Sequence, residues 1–232
     1  MLNLLEGSNP SPSAKTTRIE SDAMPTEHEV ARAFLELGAA TLGESGGHAM
    51  RARVKAAWPG ATLAAPAFPV RCTPGDNLAI HVAVARAPAG SALAVDVGEE
   101  RELGYWGEVL TTAAEARGIA GLVIDGGVRD VAALQAHGFP VFSTGLALPG
   151  ATKLAAGAIG QAAQVGDVDV HAGDWLVGDA DGVTVVPGGA LDAVLDAGRA
   201  RAAKEDGFFA ALKDGATTLD LLDLDASPID GA

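Results

Sequence analysis

The sequence predicts an α/β fold with a β-rich C-terminal half and terminal helices, and three observations carry that expectation. Apolar runs too short for helices, "SALAVDVG", "GLVIDGG" and "PVFSTG", alternate with helical segments in the manner of consecutive β–α units. The texture then changes to "VGDVDVHAGDWLVGDADGVTVVP", a series of short β-type runs separated by Gly-Asp turns. The composition is 48% apolar but only 4% aromatic, so Ala, Val, Leu and Gly must fill the core between closely approached elements.

Taken in order, residues 1–25 read as a flexible N-terminal extension and residues 26–232 as one domain, since no Pro/Ser/charge-rich linker divides the middle. Thr26 is a good N-cap for a helix in "TEHEVARAFLELG", and "AATLGESGGHAMRA" continues as a helical piece broken by glycines. The two prolines of "ATLAAPAFPVRCTPGDN" point to an irregular or edge strand. "LAIHVAVARA" alternates as a strand would, but Asp76-Asn77 before it is a helix-capping pair, which favours a helix. "GEVLTTAAEARG" is a helix with Gly118 near its end. "VAALQAHG" is a shorter one closed by Gly138, with Asp130 at its N-cap. A helix from about Gly189 to Lys204, a second helix and the amphipathic tail "TTLDLLDL" finish the chain.

A net charge of −14 with no run of Lys or Arg argues against nucleic acid. An anionic small substrate would need positive groups arranged locally against the overall field. One cysteine, Cys72, excludes an intramolecular disulfide and suits a reducing cytoplasm, where it reads as a small core residue. No basic n-region or long apolar run marks a secretory signal or membrane span, so the expected location is cytoplasmic.

Chemistry concentrates in two places. The helix starting at Gly107-Glu108 leaves its first N–H groups without intrahelical partners, so those of Val109 and Leu110 can hold a carboxylate; Glu108 alone is also an ordinary first-turn acid. The adjacent Arg129-Asp130 pair, just past a strand and two glycines, suits either a structural ion pair or a working one. In the working version Asp130 holds a hard divalent cation and the Arg129 fork takes a substrate oxygen. Elsewhere His28, His48, His81, His137 and His171 lack close metal-ligand spacing. Asp179 and Asp181 lack the downstream Glu of a calcium loop and read as turn residues. Lys153 reads as a surface or anion-steering lysine, not a Schiff-base nucleophile.

These residues carry a resemblance. "GYWGEVLTTAAEARGIAGLVIDGGVRDVAALQAHGFPVF" is similar to the family named for the regulator of ribonuclease activity A, which includes metal-dependent aldolases of 4-hydroxy-4-methyl-2-oxoglutarate and 4-carboxy-4-hydroxy-2-oxoadipate. Its signature, an acid, twenty residues, then Arg-Asp, is met by Glu108 and Arg129-Asp130. "PGDN" (Pro74–Asn77), "GATK" (Gly150–Lys153) and "AGDWLVGDADGVTVVP" (Ala172–Pro187) extend the match. The resemblance implies a swivelling-domain-type α/β sandwich, assembled as trimers or hexamers with sites at subunit boundaries. It implies magnesium or manganese on Asp130, the substrate's keto oxygen on Arg129, a pyruvyl carboxylate on the amides of Val109 and Leu110, and Glu108 acting on the metal through water. Glu205 would be a metal-shell residue from the neighbouring subunit. The chain departs from the pattern in having Glu108 where many aldolases have Asp, and Ser143-Thr144 where "PVFARG" is common.

The expected activity is therefore a divalent-metal-dependent lyase that cleaves a 4-hydroxy-2-oxo acid to pyruvate, decarboxylates oxaloacetate, or does both, through a pyruvate enolate. The alternative is a non-catalytic regulator that binds and inhibits an endoribonuclease.

Overall fold

The computed structural model describes residues 26–230; the extension expected over residues 1–25 lies outside them. Helix α1 (Glu27–Gly43) starts at a complete capping box, in which Thr26 and Glu29 satisfy each other's backbone N–H groups. It breaks direction at Gly38, whose φ of 80° only glycine adopts readily. There follow β1 (His48–Ala49), β2 (Lys55–Ala56), β3 (Leu63–Arg71), α2 (Leu78–Arg86), β4 (Ala92–Asp96), α3 (Glu108–Glu115), β5 (Gly121–Ile124) and β6 (Gly127–Val128). The chain continues through α4 (Val131–His137), β7 (Val141–Ser143), β8 (Gly145–Leu146), β9 (Ala158–Ile159), β10 (Ala163–Val165) and β11 (Val168–Val170). It ends with β12 (Trp175–Gly178), β13 (Val183–Val186), a 3-10 turn, α5 (Leu191–Lys213), α6 (Thr218–Leu222) and α7 (Ser227–Asp230).

One sheet runs β1-β13-β12-β3-β4-β5-β7-β2, with β9 paired to β3 at the side. Strands β3, β4, β5 and β7 are parallel and joined by α2, α3 and α4, as the alternating pattern requires. The sheet curls into an open half-barrel, giving the expected α/β sandwich. Its central strands are apolar on both faces because both are covered. Leu93, Val95, Leu122 and Ile124 face the layer of α2, α3 and α4, while Ala92, Ala94 and Val123 join a second cluster with the β10–β11 hairpin. A third cluster seats α1 and α5 on β12 and β13 through Phe34, Leu42, Trp175 and Val194. Each fully buried side chain of this size contributes about 1.5–3 kcal/mol.

Two expectations are corrected. The segment with Pro66 and Pro69 is neither irregular nor an edge: β3 sits between β12 and β4. Ala67 donates to Asp174 on the β12 side and Cys72 to Asp96 on the β4 side, so N–H groups alternate between the neighbours. Pro66 falls one residue before pairing with β4 begins. Pro69 falls between the last β12 partner, at Pro66, and the first β9 partner, at Val70. Each proline stands where no donor is required. In the second correction, α5 does not end at Lys204 but runs on to Lys213. Gly207 is exposed within it and costs only about 1 kcal/mol against Ala. The Arg201–Glu205 pair and Lys204 over the Phe208 ring support the turns on either side. The ambiguous "LAIHVAVARA" is helical, with Ile80, Ala83 and Val84 buried at helical spacing.

Asp76 ties this scaffold to the site. It is 2% exposed and accepts hydrogen bonds from Leu78 N–H at 2.8 Å, Thr152 Oγ1 at 2.7 Å, Leu154 N–H at 2.5 Å and Ala155 N–H at 3.1 Å. Burial alone would raise its pKa, but the four donors outweigh burial and hold the carboxyl well below the usual carboxylate range. A depressed folded-state value means that the ionised carboxylate stabilises the fold above pH ~4, and that this contribution is lost as pH falls towards the folded-state value. Asp76→Asn should cost about 1–3 kcal/mol at pH 7, and the gap from wild type should narrow below pH ~4. Urea melts at pH 7 and pH 3 check this; a gap that stays constant contradicts it.

Candidate functional site

The site forms beyond the C-terminal ends of the parallel strands, the usual ligand crevice of such sheets. After β5 the chain turns through Asp125-Gly126 into β6 and delivers Arg129-Asp130 to the start of α4. The long segment after β4 is stitched alongside: Tyr105 N–H donates to Gly127 O at 3.1 Å and Arg129 N–H to Trp106 O at 2.9 Å. Trp106 is fully buried, stacks on Phe139 with ring centroids 5.9 Å apart, and donates from Nε1 to Thr111 Oγ1 at 2.7 Å. This anchoring sets Gly107 and the start of α3 against Asp130.

Asp130 occupies the N-cap position of α4 but does not cap it. Its backbone is left-handed (φ 59°, ψ 34°) and its side chain makes no bond to α4. Instead Asp130 Oδ2 accepts the Glu108 N–H of α3 at 3.1 Å. The sequence rule for caps fails because a neighbouring helix offers its own bare N-terminus to the same carboxylate. Oδ1 has no hydrogen-bond partner among the described residues. The next bonded amide of α3 is that of Thr111, which donates to Gly107 O at 3.1 Å. The N–H groups of Val109 and Leu110 therefore stay available.

Arg129 lies beside Asp130, with Nε 3.8 Å from Oδ2 and both side chains a little under half exposed. So open a pair contributes little to stability. Glycines make room for it: a Cβ at Gly104 would stand 3.0 Å from Arg129 Cδ, and one at Gly107 would overlap Asp130 Oδ2. Arg129, Asp130, Val109, Leu110, Gly104, Gly107 and Trp106 line a cavity of about 240 Å³, closed on the other side by Asn77, His81, Gly150, Ala151 and Lys153. The expected concave site around Arg129, Asp130 and the two amides is present.

The Glu108 carboxylate is not on the cavity wall; it lies 3.7 Å from His137 Nε2, while His137 Nδ1 contacts Glu115 at 2.8 Å. Glu205 lies on the outer part of α5, paired with Arg201 at 2.9 Å, and does not line the cavity of its own chain. Lys153 faces the cavity and donates to Ala151 O at 3.3 Å. Ser143 ends β7 and Thr144 follows it, and neither lines the cavity. Asp179 is a turn residue, accepting Asp181 N–H at 2.9 Å and also Ala39 N–H at 2.7 Å beside the kink of α1. Burial, with Asp96 and Asp76 nearby, pushes the Cys72 thiol up to about 12, in keeping with a core residue.

Sequence reasoning missed two wall residues. In the sequence Asn77 stands out only as half of a capping pair, and His81 only as a histidine without metal-ligand spacing. Once "LAIHVAVARA" is helical, however, their i,i+4 spacing puts both on one face. Among the described residues no group of three or more His, Cys, Asp or Glu could by itself hold a metal ion, and no helix is long and apolar enough to cross a membrane.

Fold and site together define an α/β sandwich with a small cleft framed by a helix N-terminus and an Arg-Asp pair. The family model RraA-like (Aldolase/RraA) matches residues 22–185, and the chain belongs to that family. It is 35% identical over 149 residues to a Halalkalibacterium halodurans protein provisionally named 4-hydroxy-4-methyl-2-oxoglutarate aldolase, a match covering 64% of this chain and 71% of that one. Among solved structures it resembles an uncharacterised protein of Pseudomonas syringae pv. tomato (TM-score 0.73, 24% identity, 86% and 99% of the two chains). It also resembles the RNA-processing inhibitor RraA of Thermus thermophilis (TM-score 0.56, 26% identity, 61% and 85%).

The packing around Trp106 gives a direct test. Thr111→Val leaves the buried indole N–H without its acceptor and should cost about 1–3 kcal/mol. A denaturant midpoint equal to wild type would show that the anchor is not what holds α3 in place.

Proposed function

We propose that this protein is a pyruvate-releasing lyase, acting on a 4-hydroxy-2-oxo acid by retro-aldol cleavage and on oxaloacetate by decarboxylation. Both reactions pass through the enolate of pyruvate, so both need negative charge stabilised on one oxygen. The observation that carries the reading is the cavity itself. Two unpaired helix amides, a guanidinium and an open carboxylate oxygen converge on a space the size of a small acid. The amides of Val109 and Leu110 take the substrate carboxylate at the positive end of α3. Arg129 takes the keto oxygen and binds it more strongly as charge develops; a preorganised donor of this kind is worth about 3 kcal/mol.

The donor set fits a hard divalent cation, magnesium or manganese. Asp130 has one oxygen engaged by Glu108 N–H and one without a partner. An ion of this class needs few protein ligands because it keeps waters and takes substrate oxygens. When bound it would supply Lewis-acid polarisation of the keto group. Glu108, whose carboxylate lies by His137 in this structure, would have to turn toward the cavity to orient the water that protonates the enolate carbon. Val109 on the cavity wall is 80% exposed, and Leu148 and Leu154, which flank the wall residues Gly150, Ala151 and Lys153 in sequence, are more open still. So much exposed apolar surface beside a site favours cover by a second copy in a homotrimer or hexamer, with Glu205 brought from the neighbouring subunit.

The likeness to the Thermus RNA-processing inhibitor, together with a net charge of −14, favours a second reading: docking on a basic segment of an endoribonuclease. A coupled pyruvate assay with several oxo-acids, with and without chelator, separates the two. Pyruvate release that chelator abolishes supports the lyase, and its absence together with capture of a ribonuclease supports the regulator.

Within the lyase reading, Asp130→Ala should remove metal-dependent pyruvate release while the melting temperature changes little. Arg129→Lys keeps the charge but loses the fork, and should lower kcat by about 10²-fold. Gly107→Ala should also depress activity, because its Cβ displaces the Asp130 carboxylate. Full activity in the Asp130 variant would end the assignment.

A further inference from the structure

Two residues of the cavity wall, Asn77 and His81, carry buried polar atoms that the proposed chemistry does not use. Asn77 is 4% exposed, and its Nδ2 donates to Tyr105 O at 2.8 Å. That bond fixes which way the amide points and leaves Oδ1 buried with no partner among the described residues. His81, one turn further along α2, has Nε2 buried and equally without a partner. Both residues line the cavity. An unmatched buried polar group costs about 1–3 kcal/mol, and two on one wall mark a place where something else supplies the bond.

The chemistry of the two atoms says what that something is. Asn77 Oδ1 can only accept, and His81 Nε2 accepts when the ring proton sits on Nδ1. Two unpartnered acceptors on residues of one cavity call for a donor. On the proposed substrate class, the donor that lies beyond the carboxylate and keto group is the C4 hydroxyl. It also carries the proton that must leave before the C3–C4 bond can break.

We infer that Asn77 and His81 bind the C4 hydroxyl of the 4-hydroxy-2-oxo acid and that His81 Nε2 is the base that takes its proton. The inference rests on the lyase reading above and adds to it the step that distinguishes cleavage from decarboxylation. The hydroxyl proton is shared between Asn77 Oδ1 and His81 Nε2 in the bound acid, and only the imidazole is basic enough to take it. The O–H bond breaks, its electron pair forms the carbonyl at C4, and the C3–C4 bond breaks. The pair from that bond becomes the C2–C3 enolate, with its charge on the oxygen beside Arg129. A proton then adds to C3 to give the methyl of pyruvate, and the imidazolium releases the one it took, so the proton count closes. Oxaloacetate has no C4 hydroxyl and loses carbon dioxide without this step. It needs only the enolate stabilisation and the proton at C3.

The surroundings keep His81 in its basic form. Burial and the Lys153 ammonium hold its pKa below the usual imidazole value, with Asp76 opposing more weakly. Arg129, Asp130 and Tyr105 are the other titratable groups on the cavity wall.

The test compares two substrates on one enzyme. Full-length protein with magnesium or manganese is assayed for pyruvate from 4-hydroxy-4-methyl-2-oxoglutarate and from oxaloacetate, as wild type and as His81→Gln. The variant should lower the ratio of cleavage to decarboxylation by on the order of 100-fold. The wild-type cleavage rate should also fall on the acid side of a limb that decarboxylation lacks, and that comparison needs no variant to fold. Equal loss of both reactions in the variant, or matching pH profiles in the wild type, would overturn the assignment of His81. If the wild type releases pyruvate from neither acid, the lyase reading fails and takes this inference with it. A wild type that decarboxylates but never cleaves overturns the inference alone.

Discussion

A single hydrogen bond, from the Glu108 amide of α3 to Asp130 Oδ2, joins the two loops from which the site is made. Its geometry is demanding on both sides. Asp130 must adopt a left-handed backbone, which a non-glycine residue reaches at a cost of about 1 kcal/mol or more, and Gly107 must carry no side chain at all. The return is that a carboxylate stands at the positive end of a helix without consuming it. One amide is engaged and the next two are left for another anion. Arg129, held through its own backbone by Trp106, then shares the space with them.

This local arrangement would let a strongly acidic chain receive the acidic ligand proposed for it. The net charge of −14 is spread over the surface, where salt screens it within about 8–10 Å. Inside the cavity the groups within reach of a bound acid are Arg129, Lys153 and a helix N-terminus, against the one carboxylate of Asp130. At contact distance, and away from bulk water, near groups decide the local potential.

The sandwich was legible because its strands and helices differ in length and period, and "SALAVDVG" and "GLVIDGG" have no other good reading. Arg129-Asp130 and the amides after Glu108 were also legible, since helix starts and paired charges are local features. What was not legible depended on partners distant in sequence. Pro66 and Pro69 look like edge residues until β3 is seen to change neighbours at those points. Asp130 looks like a cap until another helix competes for it. Asn77 and His81 become wall residues only after the loop carrying Lys153 folds over α2. The length of α5 was not legible either: the segments expected as two helices form one, which passes through the exposed Gly207 with side-chain pairs on the turns around it.

The loop closed by Asp76 also bears on the order of assembly. Its carboxylate reaches Leu154 across 78 positions of chain, a far longer span than the β–α–β units beside it have to close. Connections of that separation are slow to form, whereas the parallel strands can be laid down from neighbouring segments. Recognition would then mature late: a newly made chain could bury its sheet and yet fail to hold any small molecule, until this last latch is set.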